Sequence, residues 1–393
     1  MEEQHLFKRH ARVDVADVLR GLSVMAIIFL HAIEHFNFYS FPDTSTQNSW
    51  LTFTDRAVWD GLFFLFAGKA YAIFAFLFGF SFFIQEDNQR MKGRDFRLRF
   101  CWRLVLLFLI GNLNACFFTA EVLVLFSIVG FVLVLTCRLS NRSAFLLACI
   151  LMLQPVSLYH VLRVLLDSSY QVPALPTASL WDATFAVQTS GTFLETVKVN
   201  LWEGQLASLA WAWDNARFFQ TASLFILGML VGRKEWLLEK NLHHWGYIGV
   251  GALFLFFPLY GLNNMLPDFI SNKNLLTPLS LVLSSLHKVA FMFVLVSTIL
   301  FLYYRTAAHR WLNKIIPYGK MSLTNYITQS IIGSAVFYHW GLGMHAHWGI
   351  TLSFLFGVFI FLVQCVFCSW WMRFHKHGPL EFLWKKATWI LNR

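Results

Sequence analysis

The sequence predicts an all-α protein: a polytopic transmembrane helical bundle of about ten spans with both ends in the cytoplasm. Three observations predict it. Of 393 residues, 57% are hydrophobic and only 13% are charged, too few to solvate the surface of a soluble domain of this length. The apolar residues arrive in blocks of about 18 to 24, the length that crosses a hydrocarbon core of about 30 Å at about 1.5 Å per helical residue. The alternating pattern of a barrel is absent, and backbone groups in lipid must be satisfied internally, so the blocks are helices.

The expected spans run over 16–37, 59–84, 100–118, 121–137, 144–165, 217–233, 244–262, 285–304, 318–340 and 349–372. Asp14, Asp17 and Arg20 lead straight into the first, with no small-residue cleavage site after it, so it reads as an uncleaved helix. The whole chain, 1–393, reads as one transmembrane domain. Within it, 166–216 carries Pro173 and Pro176 and is expected to be an exterior loop with an interfacial helix near Thr192–Ala210. A shorter loop is expected at 263–284, where Pro267 and Pro278 stand, and 373–393 reads as a cytoplasmic tail.

Orientation comes from the basic residues. Lys8, Arg9 and Arg12 precede the first span; Arg90, Arg94 and Arg97, then Arg138 and Arg142, then Arg233 and Lys240 occupy alternate connections; Lys385, Lys386 and Arg393 end the chain. Basic flanks on alternate connections and at both termini require an even number of spans and both ends inside. The net charge of +10 therefore reports topology and lipid headgroup contact, and no nucleic-acid partner is expected. The six cysteines lie in or beside apolar blocks and suggest no disulfide framework; Cys365 and Cys368 read as helix packing.

Several stretches resemble the YeiB-type family of bacterial membrane proteins. They are Asp17–Gly21 (DVLRG), Gly68–Gly79 (GKAYAIFAFLFG), Arg217–Arg233 (RFFQTASLFILGMLVGR), Gly319–Ser330 (GKMSLTNYITQS) and Gly378–Trp384 (GPLEFLW). They span nearly the whole chain in family order. The family looks related to transmembrane acyltransferases, and the resemblance implies a multi-pass protein of the bacterial inner membrane. It also implies acyl-CoA as co-substrate, with no bound cofactor.

Ionisable groups at membrane depth are costly and face a protein interior or an aqueous cavity. Arg20 stands at the cytoplasmic end of the first helix, and His31 lies eleven residues on, about 16 Å deeper. This Arg–His spacing resembles the first-helix signature of membrane O-acyltransferases, although many YeiB relatives carry Asn at the position of His31. Arg20 is expected to hold CoA phosphate, and His31 to act as general base on an exterior saccharide, lipid or amine. Glu34 and His35 extend the cluster, the carboxylate orienting an imidazole. Two histidines four apart also suit a metal, but no third ligand is evident, so no metal is expected.

Further binding candidates are Lys69 in the second span, expected to pair with Glu34 or Asp60, and Asn112 and Glu121 at the third-to-fourth turn. Arg217 and Gln220 enter the sixth span, Arg217 facing Glu121 or an anionic acceptor. Asn325 and Gln329 form a polar stripe in the ninth. Each has a structural alternative: an ion pair, a helix cap or an interhelical hydrogen bond. Two other functions compete with acyl transfer, a secondary transporter of a small solute and a structural or sensory membrane protein.

Overall fold

The computed structural model describes residues 13–39 and 47–390, so the basic residues Lys8, Arg9, Arg12 and Arg393 lie outside the described part. The described residues contain helices and no strand. The first helix, α1 (Asp14–Ile33), is followed by α2 (Ser49–Phe66) and α3 (Lys69–Arg90), which form one 42-residue apolar run broken at Gly68. There the backbone is left-handed (φ 76°), a conformation glycine adopts without a Cβ clash. Next come α4 (Arg97–Ala115), the short pair α5 (Val122–Val129) and α6 (Phe131–Thr136), and the pair α7 (Asn141–Met152) and α8 (Pro155–Leu166), bent by 51°.

The expected exterior loop is largely helical: α9 (Thr177–Ser190), α10 (Phe193–Val199) and α11 (Gln205–Asp214). A capping box between Thr192 and Glu195 starts α10, and the buried Gln188 side chain bonds Asn200 at 2.8 Å, so this segment folds as a cap. The core helix α12 (Arg217–Arg233) follows, then α13 (Leu242–Phe269) and α14 (Lys273–Arg305). The chain closes with α15 (His309–Leu312), α16 (Ile316–Lys320), α17 (Ser322–Phe337), α18 (Ile350–Phe374) and α19 (Pro379–Thr388).

Six of these runs are long and apolar enough to cross a bilayer, seven if α7–α8 counts as one span. The other expected spans are also helical but shorter. α12 has 17 residues and α17 has 16. The physical reason is burial: nearly all of α12 is enclosed by neighbouring helices, so its side chains need not be apolar throughout. Lipid-facing apolar residues such as Phe53, Leu109, Phe254 and Val366 are exposed on other helices.

One expectation is corrected. The loop at 263–284 shrinks to 270–272, because α13 and α14 run through it with 28 and 33 residues. At about 42 and 50 Å they overshoot the hydrocarbon core. Ser280 Oγ bonds Asn263 Oδ1 across the pair at 2.9 Å, and packed helices of this kind tolerate their internal prolines. The stretch expected as a tail contains a helix. α19 docks on the bundle, where Trp102 Nε1 donates to the Ala387 carbonyl at 3.1 Å and the Arg103 guanidinium lies 4.1 Å over the Trp384 ring.

The motif stretches prove to be packing partners. A Cβ on Gly79 would lie 1.9 Å from the Phe225 carbonyl oxygen, and one on Gly228 would lie 1.8 Å from that of Phe76, so α3 and α12 touch backbone to backbone. Glu381 of α19 accepts from the Leu323 and Thr324 amides at 2.8 and 3.0 Å, capping the N-terminus of α17. The basic flanks gather at one end: Arg90, Arg97, Arg138, Arg233 and Lys240 line a single depression there. We call this the basic end.

Candidate functional site

α1 begins at the basic end and delivers His31 to the opposite half. The regular helix stops at Ile33, and the next bonds span five residues, Phe36 N to His31 O and Tyr39 N to Glu34 O, both 3.0 Å. This unwinding leaves Glu34 and His35 on a turn. Glu34 Oε1 lies 2.9 Å from His35 Nδ1, a carboxylate–imidazole pair by distance, although Nδ1 has no partner in hydrogen-bond geometry. The His31 ring stacks at 4.7 Å from Phe118 and 5.2 Å from His35, and its nitrogens make no hydrogen bond to the described residues. All three side chains line a cavity of about 720 Å³.

The same wall carries Lys69, Glu121 and Arg217, together with Lys288, which sequence reasoning missed. The break at Gly68 ends α2, and Lys69 Nζ caps its last carbonyls, donating to Phe64 O at 2.7 Å and, at 3.3 Å, to Phe63 O, which also accepts from the Ala67 amide. Lys69 therefore serves the backbone in place of the expected Glu34 or Asp60. Arg217 donates to Gln220 Oε1 at 2.8 Å and lies 5.0 Å over the Tyr71 ring and 5.6 Å over that of Trp211. Its expected partner Glu121 is occupied elsewhere, accepting from the Leu123 amide at 2.5 Å and from Asn114. Trp181, Ser208 and Trp211 of the cap close over the cavity. A signal for Lys288 existed, since His287–Lys288 is an ionisable pair inside the eighth expected span.

A second cavity, of about 750 Å³, opens from the basic end and is lined by Arg20, Lys92, Arg103, Lys320 and Lys385. Arg20 is held in its wall by Asp17 Oδ1 at 2.5 Å and Ser81 Oγ at 2.9 Å. Both cavities are lined by Tyr326, whose hydroxyl accepts from the Val122 amide at 3.5 Å.

Other expected site residues lie outside both cavities. Asn112 donates back to Phe108 of its own helix at 2.8 Å, and Gln220 joins α12 to α14 through Ser285 Oγ at 3.1 Å. Asn325 and Gln329 belong to a closed network: Asn325 to the Tyr318 carbonyl at 3.0 Å, and Gln329 to Tyr318 Oη at 2.8 Å and Gln364 Oε1 at 2.9 Å. His31, Glu34 and His35 also offer three ligand atoms within 4.8 Å of one another, so Glu34 supplies the third ligand that the sequence analysis did not assign. A His₂Glu set of this kind suits a divalent cation as well as proton transfer.

Fold and cavities together define an all-helical membrane protein with an ionisable interior. Residues 231–391 match a family described as a protein of unknown function, DUF418. The chain is 26% identical to the uncharacterized protein YxaH of Bacillus subtilis (strain 168), over 96% of this chain and 94% of that one. It is 22% identical, over the same shares, to an uncharacterized 39.9 kDa protein in the amylase 3' region of Bacillus acidopullulyticus. A 70-residue stretch, 18% of each chain, is 40% identical to the uncharacterized protein YeiB of Escherichia coli (strain K12), which bears out the YeiB-type resemblance. No solved structure gives a significant match.

Proposed function

We propose that the protein transfers an acyl group from cytoplasmic acyl-CoA to an exterior acceptor, with the bacterial inner membrane as its location and the basic end as its cytoplasmic face. One observation carries the reading: Tyr326 lines both the cavity that holds Arg20 and the cavity that holds His31. The CoA phosphates would lie among Arg20, Lys92 and Lys320, and the pantetheine arm would pass Tyr326 toward His31. His31 then takes the proton from an acceptor hydroxyl or amine, whose oxygen or nitrogen attacks the thioester carbonyl. The C–S bond breaks, the thiolate recovers the proton from His31, and acylated acceptor and CoA thiol leave. Glu34 lies against His35, whose ring packs edge-on 5.2 Å from that of His31, and in this reading the pair orients the imidazole.

Purified protein incubated with acyl-CoA tests this. His31→Ala should lower turnover at least about 100-fold with its thermal unfolding unchanged, and Arg20→Gln should act mainly on the KM for acyl-CoA. Folded wild-type protein that neither binds nor consumes any acyl-CoA would sink the proposal. A secondary transporter is the second reading, favoured by the break of α2–α3 at Gly68 beside the cavity. Solute uptake into proteoliposomes that collapses with the proton gradient would select it.

A further inference from the structure

Lys69, Arg217 and Lys288 converge on one wall of the cavity that holds His31. Their mutual proximity is fixed around Gly68, where an added Cβ would lie 3.0 Å from Lys288 Cδ and 3.3 Å from an Arg217 guanidinium nitrogen. Among the described residues, no carboxylate stands within ion-pair distance of any of the three. The cavity's own acids are engaged elsewhere, Glu34 beside His35, Asp60 with Arg56 at 3.7 Å, and Glu121 with Leu123 and Asn114. Three basic side chains gathered at membrane depth disfavour one another's charged form, and an anion placed among them relieves that cost.

Two helix N-termini add to the same field. Lys69 opens α3 and Arg217 opens α12, of 22 and 17 residues, and neither start has a side-chain cap. The first-turn residues Lys69, Ala70 and Tyr71 are all wall residues, as Gly68 is. Broken helices whose positive ends face a midplane cavity are a recurring way to hold an anion in a membrane protein.

We propose that this wall binds a phosphoryl group. Three separately directed cations match the several tetrahedral oxygens of a phosphate better than the two coplanar oxygens of a carboxylate. Binding here deepens the acceptor side of the acyl-transfer reading and rests on it for its purpose, though not for its chemistry: the acceptor is a phosphate-bearing molecule. The cavity also reaches the protein surface, because Phe64 and Tyr260 line it and are 44% and 37% exposed. An anionic headgroup and a soluble phosphate share the chemistry, and the experiment separates them.

Wild-type protein is reconstituted in phosphatidylglycerol or phosphatidylcholine nanodiscs, and separately titrated in detergent with sn-glycerol 3-phosphate. The readouts are thermal stabilisation and the fluorescence of Trp181 and Trp211, which line the cavity. Saturable stabilisation by glycerol phosphate, weakened at least tenfold in Lys288→Gln, supports a phosphoryl site open to soluble ligands. Stabilisation by phosphatidylglycerol over phosphatidylcholine, lost in the same variant, assigns the site to a lipid headgroup. Lys288 makes no hydrogen bond to the described residues, so Lys288→Gln should keep the unliganded melting temperature; Lys288→Met gives a second version if it does not. His31→Ala should bind phosphate as wild type does. Binding without any acyl transfer would overturn the transfer reading and keep this one. No phosphate-dependent effect in folded protein, or equal affinity in Lys288→Gln, overturns this one.

Discussion

Two polar clusters lie inside this bundle, and they are built on opposite principles. Around α17, Asn325, Gln329, Gln364 and Tyr318 bond one another, with Gln364 Nε2 also reaching Thr328 Oγ1 at 2.8 Å. Their polar atoms are consumed by the protein, and they line neither cavity. Around α1 and α3, His31, Lys69, Arg217 and Lys288 border open volume, and among the described residues no carboxylate lies within ion-pair distance of the three basic ones. A closed network specifies how helices meet; a wall of unneutralised groups is held ready for a ligand. Residue type does not distinguish the two, since both are polar stripes on apolar helices.

The sharpest way to break this contrast is to cut the closed network. Gln329→Leu would leave Tyr318 Oη and Gln364 Oε1 without their donor, at a cost of about 1–3 kcal/mol in stability. Thermal unfolding in detergent reads that loss. Ligand binding and turnover, measured at a temperature where the variant is folded, should match wild type. A Gln329→Leu protein of normal stability that has lost turnover would place α17 among the functional groups and erase the distinction.

The sequence made the bundle legible because lipid-facing helices declare themselves by hydropathy. It marked even the enclosed α12 and α17, at 217–233 and within 318–340, but was less informative about the cap over 177–214, where it expected a loop with one helix near Thr192–Ala210. Within the site, the Arg20 and His31 positions followed from helical rise alone. Lys288 did not, because its importance comes from a break at Gly68 some two hundred residues away that brings α3, α12 and α14 to one point. The motif stretches were readable as a family signature, yet Gly79, Gly228 and Glu381 show that much of that signature is contact between helices.

Glu381 tests that last point at a smaller scale. Its carboxylate takes the Leu323 and Thr324 amides and, at 2.6 Å, the Thr324 hydroxyl, so GPLEFLW caps the helix that carries GKMSLTNYITQS. Glu381→Ala should cost about 1 kcal/mol, in the range of a lost N-cap. Proteolysis should then cut α19 faster while phosphate binding at the opposite end stays unchanged. A binding defect instead would mean that the two halves of the bundle are coupled through α17.

The weakest perturbation belongs at the solvated basic end, where a third polar cluster shows what water does to the same chemistry. Asp95 accepts from Arg97 Nη2 at 2.6 Å and from the Arg97 amide at 2.9 Å, with Arg138 at 3.4 Å. Hydrogen bonds from Arg97 hold its carboxyl down at about 2. The folded value lies below the unfolded one of about 3.9, so the stabilisation is present above that pH and is lost as pH falls toward 2. Asp95 is half exposed, and solvent screening limits the effect to no more than about 1 kcal/mol. Melting temperatures at pH 5 and pH 2.5 should therefore differ slightly more in wild type than in Asp95→Asn. If Asp95→Asn cost as much as Gln329→Leu, burial would not be what separates strong clusters from weak ones in this fold.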